Sequence, residues 1–491
     1  MTENPLATPI HVLSSCGLLS VSELNWTDPS KHDATSLLHR LATSEVSSTH
    51  LVTAFCKRAA IAHQLTNCLT EILFKEAIAR AKALDEHLQR TKEVIGPLHG
   101  IPITFKNSFD IKGHDASSGI TALCFSPSQR NSLLYDILTG EFGVAGSTGG
   151  EGALLALGGS VLGIGTDGAG SVRMPAAVNG VVGYKPSGYR LPLDGRRIMG
   201  TGVMGTTAFG PVSVTGFLGR SVQDVALFTK LSAEAKPWEK DPFIYPHPWQ
   251  SLSLQKAQRV RIGVWSSNDF VHLHPPVERG FKAAQESLRN AGVELVEFHG
   301  PDISQAWEMH KEWTELQDLS YLRELLSKEP HTEIVKATEI ITKKAPCPPP
   351  TIAYIHSMNA RISALVRAMH DSWGRVREPI DALLWVPAPH TAVPFDKYTY
   401  LGFTGLFNII DWPAVALPLG MFVDKEIDRK VQVTPFNAHD ADLQDMYDAD
   451  SFHGLPLEVQ LIGRRFEDEK LLAVSEVVHA LIKQTSFDVK L

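Results

Sequence analysis

Cysteine is scarce in this 491-residue chain: there are five, Cys16, Cys56, Cys68, Cys124 and Cys347, with no C-x-x-C pair among them. An odd, scattered set excludes a disulfide framework and a cysteine-based zinc site, and leaves the reading of buried thiols. Histidine is plentiful at 20, but H-E-x-x-H and other tight ligand spacings are missing. No metal or other cofactor is therefore expected, and each histidine, His114 included, is read as structural. Apolar runs are short, none reaching the roughly 18 residues of a membrane-spanning helix. Met1 to Pro5 shows no basic stretch leading into an apolar one, so a cytoplasmic location is expected. Positive charge is also in deficit. The 46 Lys plus Arg against 54 Asp plus Glu leave a net charge of -8 and no dense basic cluster, which disfavours nucleic acid as a partner.

Hydrophobic residues make up 43% and charged residues 20% of the chain, the composition of a folded globular protein. No flexible linker divides it, so one domain over 1–491 with insertions is expected, opening with a helical region at about 34–92. Leu37, Leu38 and Leu41, then Leu51, Val52 and Phe55, recur at helical spacing, with Ser and Thr at 44–49 marking a cap between two helices. Glu71 to Gln89 reads as another amphipathic helix. Strands are expected at 101–105, 161–165, 260–265, 293–298, 382–386, 414–417 and 457–462. Further helices are expected at 277–291, 304–327, 354–372 and 466–483. The alternation predicts an α/β fold. Stretches 234–256, 344–350 and 424–453, rich in Pro or charge, read as surface loops.

Between Gly143 and Gly170 stand 11 glycines in 28 residues. Glycine lets main-chain N–H groups approach a ligand, so this run points to a binding or reacting surface. Nucleotide binding is one reading, because Gly163-Ile164-Gly165-Thr166-Asp167-Gly168 fits G-x-G-x-x-G. It fails on context: Pro175 interrupts the helix that should follow, and Gly188 stands where the acidic partner belongs. Acyl transfer by a hydroxyl fits better. Ser171, directly after Gly168-Ala169-Gly170, would lie beside several N–H groups suited to an oxyanion. No histidine or acid is placed by sequence as its base, and no G-x-S-x-G surrounds it. Lys106, closing the apolar stretch Ile101 to Phe105, is the alternative, since a desolvated lysine can be neutral and basic.

Three segments resemble the amidase-signature family, whose members use a Ser-cisSer-Lys triad. Gly100 to Asp110 is similar to its lysine segment, and Gly146-Ser147-Thr148-Gly149-Gly150-Glu151-Gly152-Ala153 to its G-G-S-S-G-G segment. Gly165-Thr166-Asp167-Gly168-Ala169-Gly170-Ser171-Val172-Arg173-Met174-Pro175-Ala176 is similar to its G-T-D-x-G-G-S-I-R-x-P segment. Thr53 to Ala59, Gly180 to Pro186 and Leu455 to Arg465 extend the similarity, most closely to fungal acetamidase-like members. The resemblance implies a large, mixed but mostly parallel twisted sheet covered by helices on both faces, with a catalytic core at about 96–190. It implies hydrolysis of a carboxylic amide through an acyl-enzyme: Ser171 as nucleophile, Ser147 as intermediate hydroxyl and Lys106 as terminal base. Main-chain N–H groups of Gly168, Ala169, Gly170 and Ser171 would form the oxyanion hole, Ser147 would also face the substrate, and Asp167 and Arg173 would brace the loop. The implied partner is a small-molecule amide, aliphatic, aryl or fatty acyl, with homodimerisation left open.

One departure stands out. Lys106 and Ser147 are 41 positions apart, and the family pattern carries roughly thirty residues more, enough for a helix end, a strand and a loop. Asn131 to Leu138 reads as the helix opening that region, and the chain then runs through Thr139 to Val144 almost directly to Ser147. The strand expected there is missing. An active amidase with a more open pocket, a silent relative with a displaced triad, a sequence short of an exon and an amidotransferase-type subunit all remain readings at this point.

Overall fold

The computed structural model describes residues 11–13, 15–139, 148–197, 211–252, 260–266, 270–316, 320–328, 350–394, 397 and 400–486. Among these, nine strands form one sheet: β1 (Ile103–Phe105), β2 (Leu162–Asp167), β3 (Val182–Lys185), β4 (Val214–Gly219), β5 (Arg261–Trp265), β6 (Glu294–Phe298), β7 (Ala382–Trp385), β8 (Ala414–Phe422) and β9 (Pro456–Ile462). Their spatial order is β1-β2-β4-β3-β8-β9-β7-β5-β6. The helices that frame the site are α1 (Ser48–Thr66), α2 (Phe74–Thr91), α3 (Leu133–Thr139), α4 (Thr148–Ala156), α5 (Arg173–Asn179), α6 (Val222–Glu234), α7 (Pro275–Asn290), α8 (Ile303–Leu316), α9 (Gly402–Ile409) and α10 (Asp468–Ser486).

The expected α/β class holds, and all seven expected strands form within a few residues of their places. The expectation of a mostly parallel sheet is corrected. Only β1–β2, β5–β7 and β5–β6 pair in parallel, and the other five pairings are antiparallel. The cause lies in β3 and β4, which the apolar pattern does not announce. Gly183 and Lys185 break the run in β3, and Gly216 and Gly219 that in β4. Both strands insert antiparallel between β2 and β8, in the middle of the sheet. Both faces are covered. Neighbouring β4 residues point to opposite sides, Phe217 toward Phe228 of α6 and Leu218 into a cluster with Leu155 of α4 and Val172.

Other expectations are refined. The charged stretch 424–453 contains helices Ala438–Met446 and Ala449–Phe452, started by the Asn437 and Asp448 side chains accepting from Asp440 N and Ser451 N. Caps, not apolar periodicity, make these helices. The stretch expected as one helix at 304–327 is two, α8 and Ser320–Ser327. Of the cysteines, Cys68 is buried, Cys56 and Cys124 are partly buried and Cys16 is exposed, so the buried reading fails for Cys16; all four are free thiols. Cys347 and residues 344–349 lie outside the described residues. No described helix is long and apolar enough to cross a membrane.

Among the described residues the sheet ends at β1. Ile103 and Thr104 point to opposite faces, yet both line one cavity of about 690 Å³, together with Phe74 and Leu84 of α2 and Tyr135 and Leu138 of α3. The cavity therefore wraps the open edge of β1. Lys106 N donates to Ile164 O at 2.8 Å, so by alternation the main-chain groups of Ile103 and Phe105 face that open side. An unpaired edge beside a cavity is a weak point of the sheet. In native-state hydrogen exchange, the amides of Ile103 and Phe105 should exchange faster than that of Ile164 by more than about tenfold. Equal protection would show that the edge is covered.

Candidate active site

β1 and β2 are parallel neighbours, in the register Phe105↔Ile164, so the residues that follow them emerge side by side. Lys106 leaves the end of β1. Thr166 and Asp167 close β2, and Gly168-Ala169-Gly170-Ser171 turn from it into α5. Lys106 Nζ donates to Thr166 Oγ1 at 2.7 Å, which ties the amine to the strand carrying the serine loop. Gly165 permits the close packing of α4 on this strand, since a Cβ there would lie 2.7 Å from Thr148 Cγ2.

The loop is held from within. Asp167 and Arg173 are fully buried and paired, Nη2 to Oδ1 at 2.9 Å and Nε to Oδ2 at 3.0 Å. Asp167 also accepts from Gly170 N at 2.8 Å and Val172 N at 3.2 Å. Burial alone would raise the Asp167 pKa, but the charge and hydrogen bonds of Arg173, with help from Lys185 and Gly170 N–H, hold its carboxyl well below the usual range. Distant segments complete the web. Arg173 Nη2 donates to Asn408 Oδ1 at 2.7 Å and Thr404 O at 3.0 Å, Asn408 Nδ2 donates to Asp167 O at 3.0 Å, and Thr404 Oγ1 donates to Ala169 O at 2.5 Å. Gly170 has φ +124°, a conformation closed to most other residues.

This geometry sorts the residues singled out by sequence. Ser171 is exposed at the turn into α5. Of the four N–H groups expected to stabilise an oxyanion, that of Gly170 is corrected: it points inward to Asp167. Those of Gly168, Ala169 and Ser171 make no hydrogen bond among the described residues. Asp167 and Arg173 brace the loop as expected. Ser147 lies outside the described residues, directly before α4. His114 is 3.6 Å from Glu71 and serves no part of this site.

Electrostatics shifts Lys106 toward the neutral amine. Burial first, and then repulsion from the Arg196 guanidinium, outweigh the attraction of Asp167 and pull its pKa down to about 8. Nearby Glu151 of α4, fully enclosed, takes a hydrogen bond from Thr104 Oγ1 and is pushed up to about 8 by burial, so near neutrality it is a neutral acid. His310 of α8 hydrogen-bonds the main chain of Gly168, and burial holds its pKa low.

Sequence reasoning missed Thr166, Arg196, His310, Thr404 and Asn408. Asn408 alone carried a signal: it is the one amide side chain in the mostly apolar α9, Gly402–Ile409, and a buried amide needs partners. The rest act across 60 or more residues of chain, or through histidine and arginine side chains without local context.

The fold class is thus α/β with a mixed nine-strand sheet, and comparison with known proteins narrows it. The family model described as Amidase matches residues 50–141 and 139–472, two pieces that meet where the chain's connection is short. An amidase of Gibberella moniliformis is 32% identical over 520 positions, covering 98% of this chain and 93% of that protein. The acetamidase of Emericella nidulans is 30% identical over 522 positions, covering 95% and 91%. Both alignments are longer than the chain itself, so these relatives carry residues that it lacks. A solved fatty acid amide hydrolase superposes with a TM-score of 0.88 at 26% identity, covering 98% of this chain and 91% of that one. A bacterial aryl acylamidase, 17% identical with a TM-score of 0.69, shares the fold. The chain belongs to the amidase-signature family of hydrolases.

Replacing Asp167 by Asn should destabilise the protein by about 3 to 5 kcal/mol, because it leaves the Arg173 charge buried without its partner. Since the Asp167 pKa is depressed in the fold, this contribution is present above the ordinary aspartate range and is lost as the pH falls below it. Urea unfolding of wild type and Asp167→Asn at neutral pH checks it, and a loss under about 1 kcal/mol would show that the pair is not what holds the loop.

Proposed function

We propose that this chain hydrolyses a carboxylic amide through an acyl-enzyme on Ser171, with Ser147 passing protons between Ser171 and Lys106. The observation that carries the reading is the placement of Lys106 and the Gly168–Ser171 turn at the ends of adjacent parallel strands, with the lysine pKa lowered to about 8. Neutral Lys106 accepts a proton from Ser147, which accepts one from Ser171 as its Oγ attacks the carbonyl carbon. The carbonyl oxygen becomes an oxyanion within reach of the open N–H groups of Gly168, Ala169 and Ser171. Collapse breaks the C–N bond, and the relay returns the proton to the departing nitrogen. Water then attacks the acyl-enzyme over the same path, frees the acid and restores Ser171.

Intact-mass spectrometry after treatment with a fluorophosphonate tests the assignment. Wild type should gain one adduct, mapped to Ser171. Ser171→Ala should gain none, and Lys106→Ala should label slower by at least about 10²-fold. No adduct on folded wild type would contradict the proposal and favour a silent relative whose short connection to Ser147 leaves the triad apart.

A further inference from the structure

α4 lies across one face of β2, and the glycines of that strand let it come close. A Cβ built on Gly165 would fall 2.7 Å from Thr148 Cγ2, and one on Gly163 would fall 2.9 Å from Glu151 Oε2. Thr148 and Glu151 are neighbours on one side of the helix and stand on two glycines that share one face of the strand. Thr104 of β1 is the register partner of Gly163, so its side chain lies on that same face, as does that of Lys106 two residues on. Thr104 Oγ1 donates to Glu151 Oε2. It also lies 3.1 Å from Ser160 Oγ and 3.2 Å from the main-chain oxygen of Leu162, the first residue of β2. Glu151 is 1% exposed, and its Oε1 has no hydrogen-bond partner among the described residues.

Three segments meet at this contact. β1 carries Lys106, β2 runs into the turn that carries Ser171, and α4 begins directly after Ser147. β1 is joined to β2 by three residue pairs, and among the described residues no strand pairs with its other side. So short an edge strand needs a further tie to keep its place. A carboxyl is an unfavourable group to bury for packing alone, since an apolar side chain would rest on Gly163 without the desolvation. What the acid adds is direction. Its bond to Thr104 fixes how far α4 can slide along β1 and β2, which apolar contact sets less sharply. The bond survives ionisation, because Thr104 Oγ1 can donate to either form of the acid.

We propose that Glu151 is a positioning residue for amide hydrolysis, and that its bond to Thr104 sets the register between the strand of Lys106 and the helix that Ser147 precedes. This rests on the hydrolase reading above. Glu151 touches neither substrate nor reacting atoms and acts through Ser147. The relay needs Ser147 within hydrogen-bond reach of both Ser171 and Lys106, and a displacement of about 1 Å can slow such a step by roughly 10²-fold. Loss of the tie therefore lowers the rate of the chemical step and leaves binding of the acyl group unchanged.

The rate constant of fluorophosphonate labelling at saturating reagent, and the concentration that gives half of it, test this on the full chain. Glu151→Leu should lower the rate constant by about tenfold or more and leave the half-saturating concentration within about twofold. Glu151→Gln keeps a carbonyl for Thr104 and should stay within about threefold of wild type. In a Ser147→Ala background, Glu151→Leu should cost less than about twofold further, because the residue it positions has lost its hydroxyl. An acid with a merely structural role would slow both backgrounds alike. Should Glu151→Leu not fold, Thr104→Val removes the same bond from the other side and takes its place in the cycle. No loss in Glu151→Leu, a loss in Glu151→Gln as large as in Glu151→Leu, or equal losses with and without the Ser147 hydroxyl would overturn the proposal, while wild-type labelling would leave the hydrolase reading standing. Absence of any adduct on folded wild type would remove that reading and this proposal together.

Discussion

The site depends on one buried ion pair. Asp167 ends β2, the strand beside the sheet edge, and Arg173 begins the helix that follows, and their contact closes the five residues between them into a fixed turn. Desolvating two charges is expensive and is offset only when their hydrogen bonds are filled. Here Gly170 N, Val172 N, Asn408 and Thr404 fill them. The consequence is geometric. With Gly170 N–H drawn inward and its φ positive, the turn leaves Ser171 exposed. The pair also explains why α9 must pack where it does, since Asn408 and Thr404 reach the turn from more than two hundred residues away in sequence.

The second constraint is the shared end of β1 and β2. Parallel pairing sets Lys106 next to Thr166, and the short bond between them limits where the amine can swing. Positive charge from Arg196 then sharpens what burial begins, biasing the lysine toward its neutral form. One arginine is thus paired to hold structure, and the other, buried without a carboxylate, repels the charge on Lys106. The difference is whether a carboxylate stands within reach.

Much of this was legible in sequence, and the limits have physical causes. Lys106 and Ser171 announce themselves because their chemistry needs a local context, an apolar strand end and a glycine run, that is written in adjacent residues. The strands β5 to β9 announce themselves by apolar runs. β3 and β4 do not, because glycines that allow close approach, Gly183 to α5, Gly216 to Tyr184 and Gly219 to α6, also erase the apolar pattern, and their antiparallel insertion reverses the expected character of the sheet. The short link between Lys106 and Ser147 was visible as a count. Arg196, His310 and Asn408 act through contacts between distant segments, which no local pattern records.

The central claim is that a neutral Lys106 activates Ser171, and the rate of Ser171 phosphonylation by a fluorophosphonate, followed across pH, tests it most directly. Below its pKa the lysine is protonated and cannot accept, so the rate should climb with pH and level off, with a midpoint at about 8. A midpoint near the ordinary lysine value of 10.5, or a rate that falls through this range, would contradict the account.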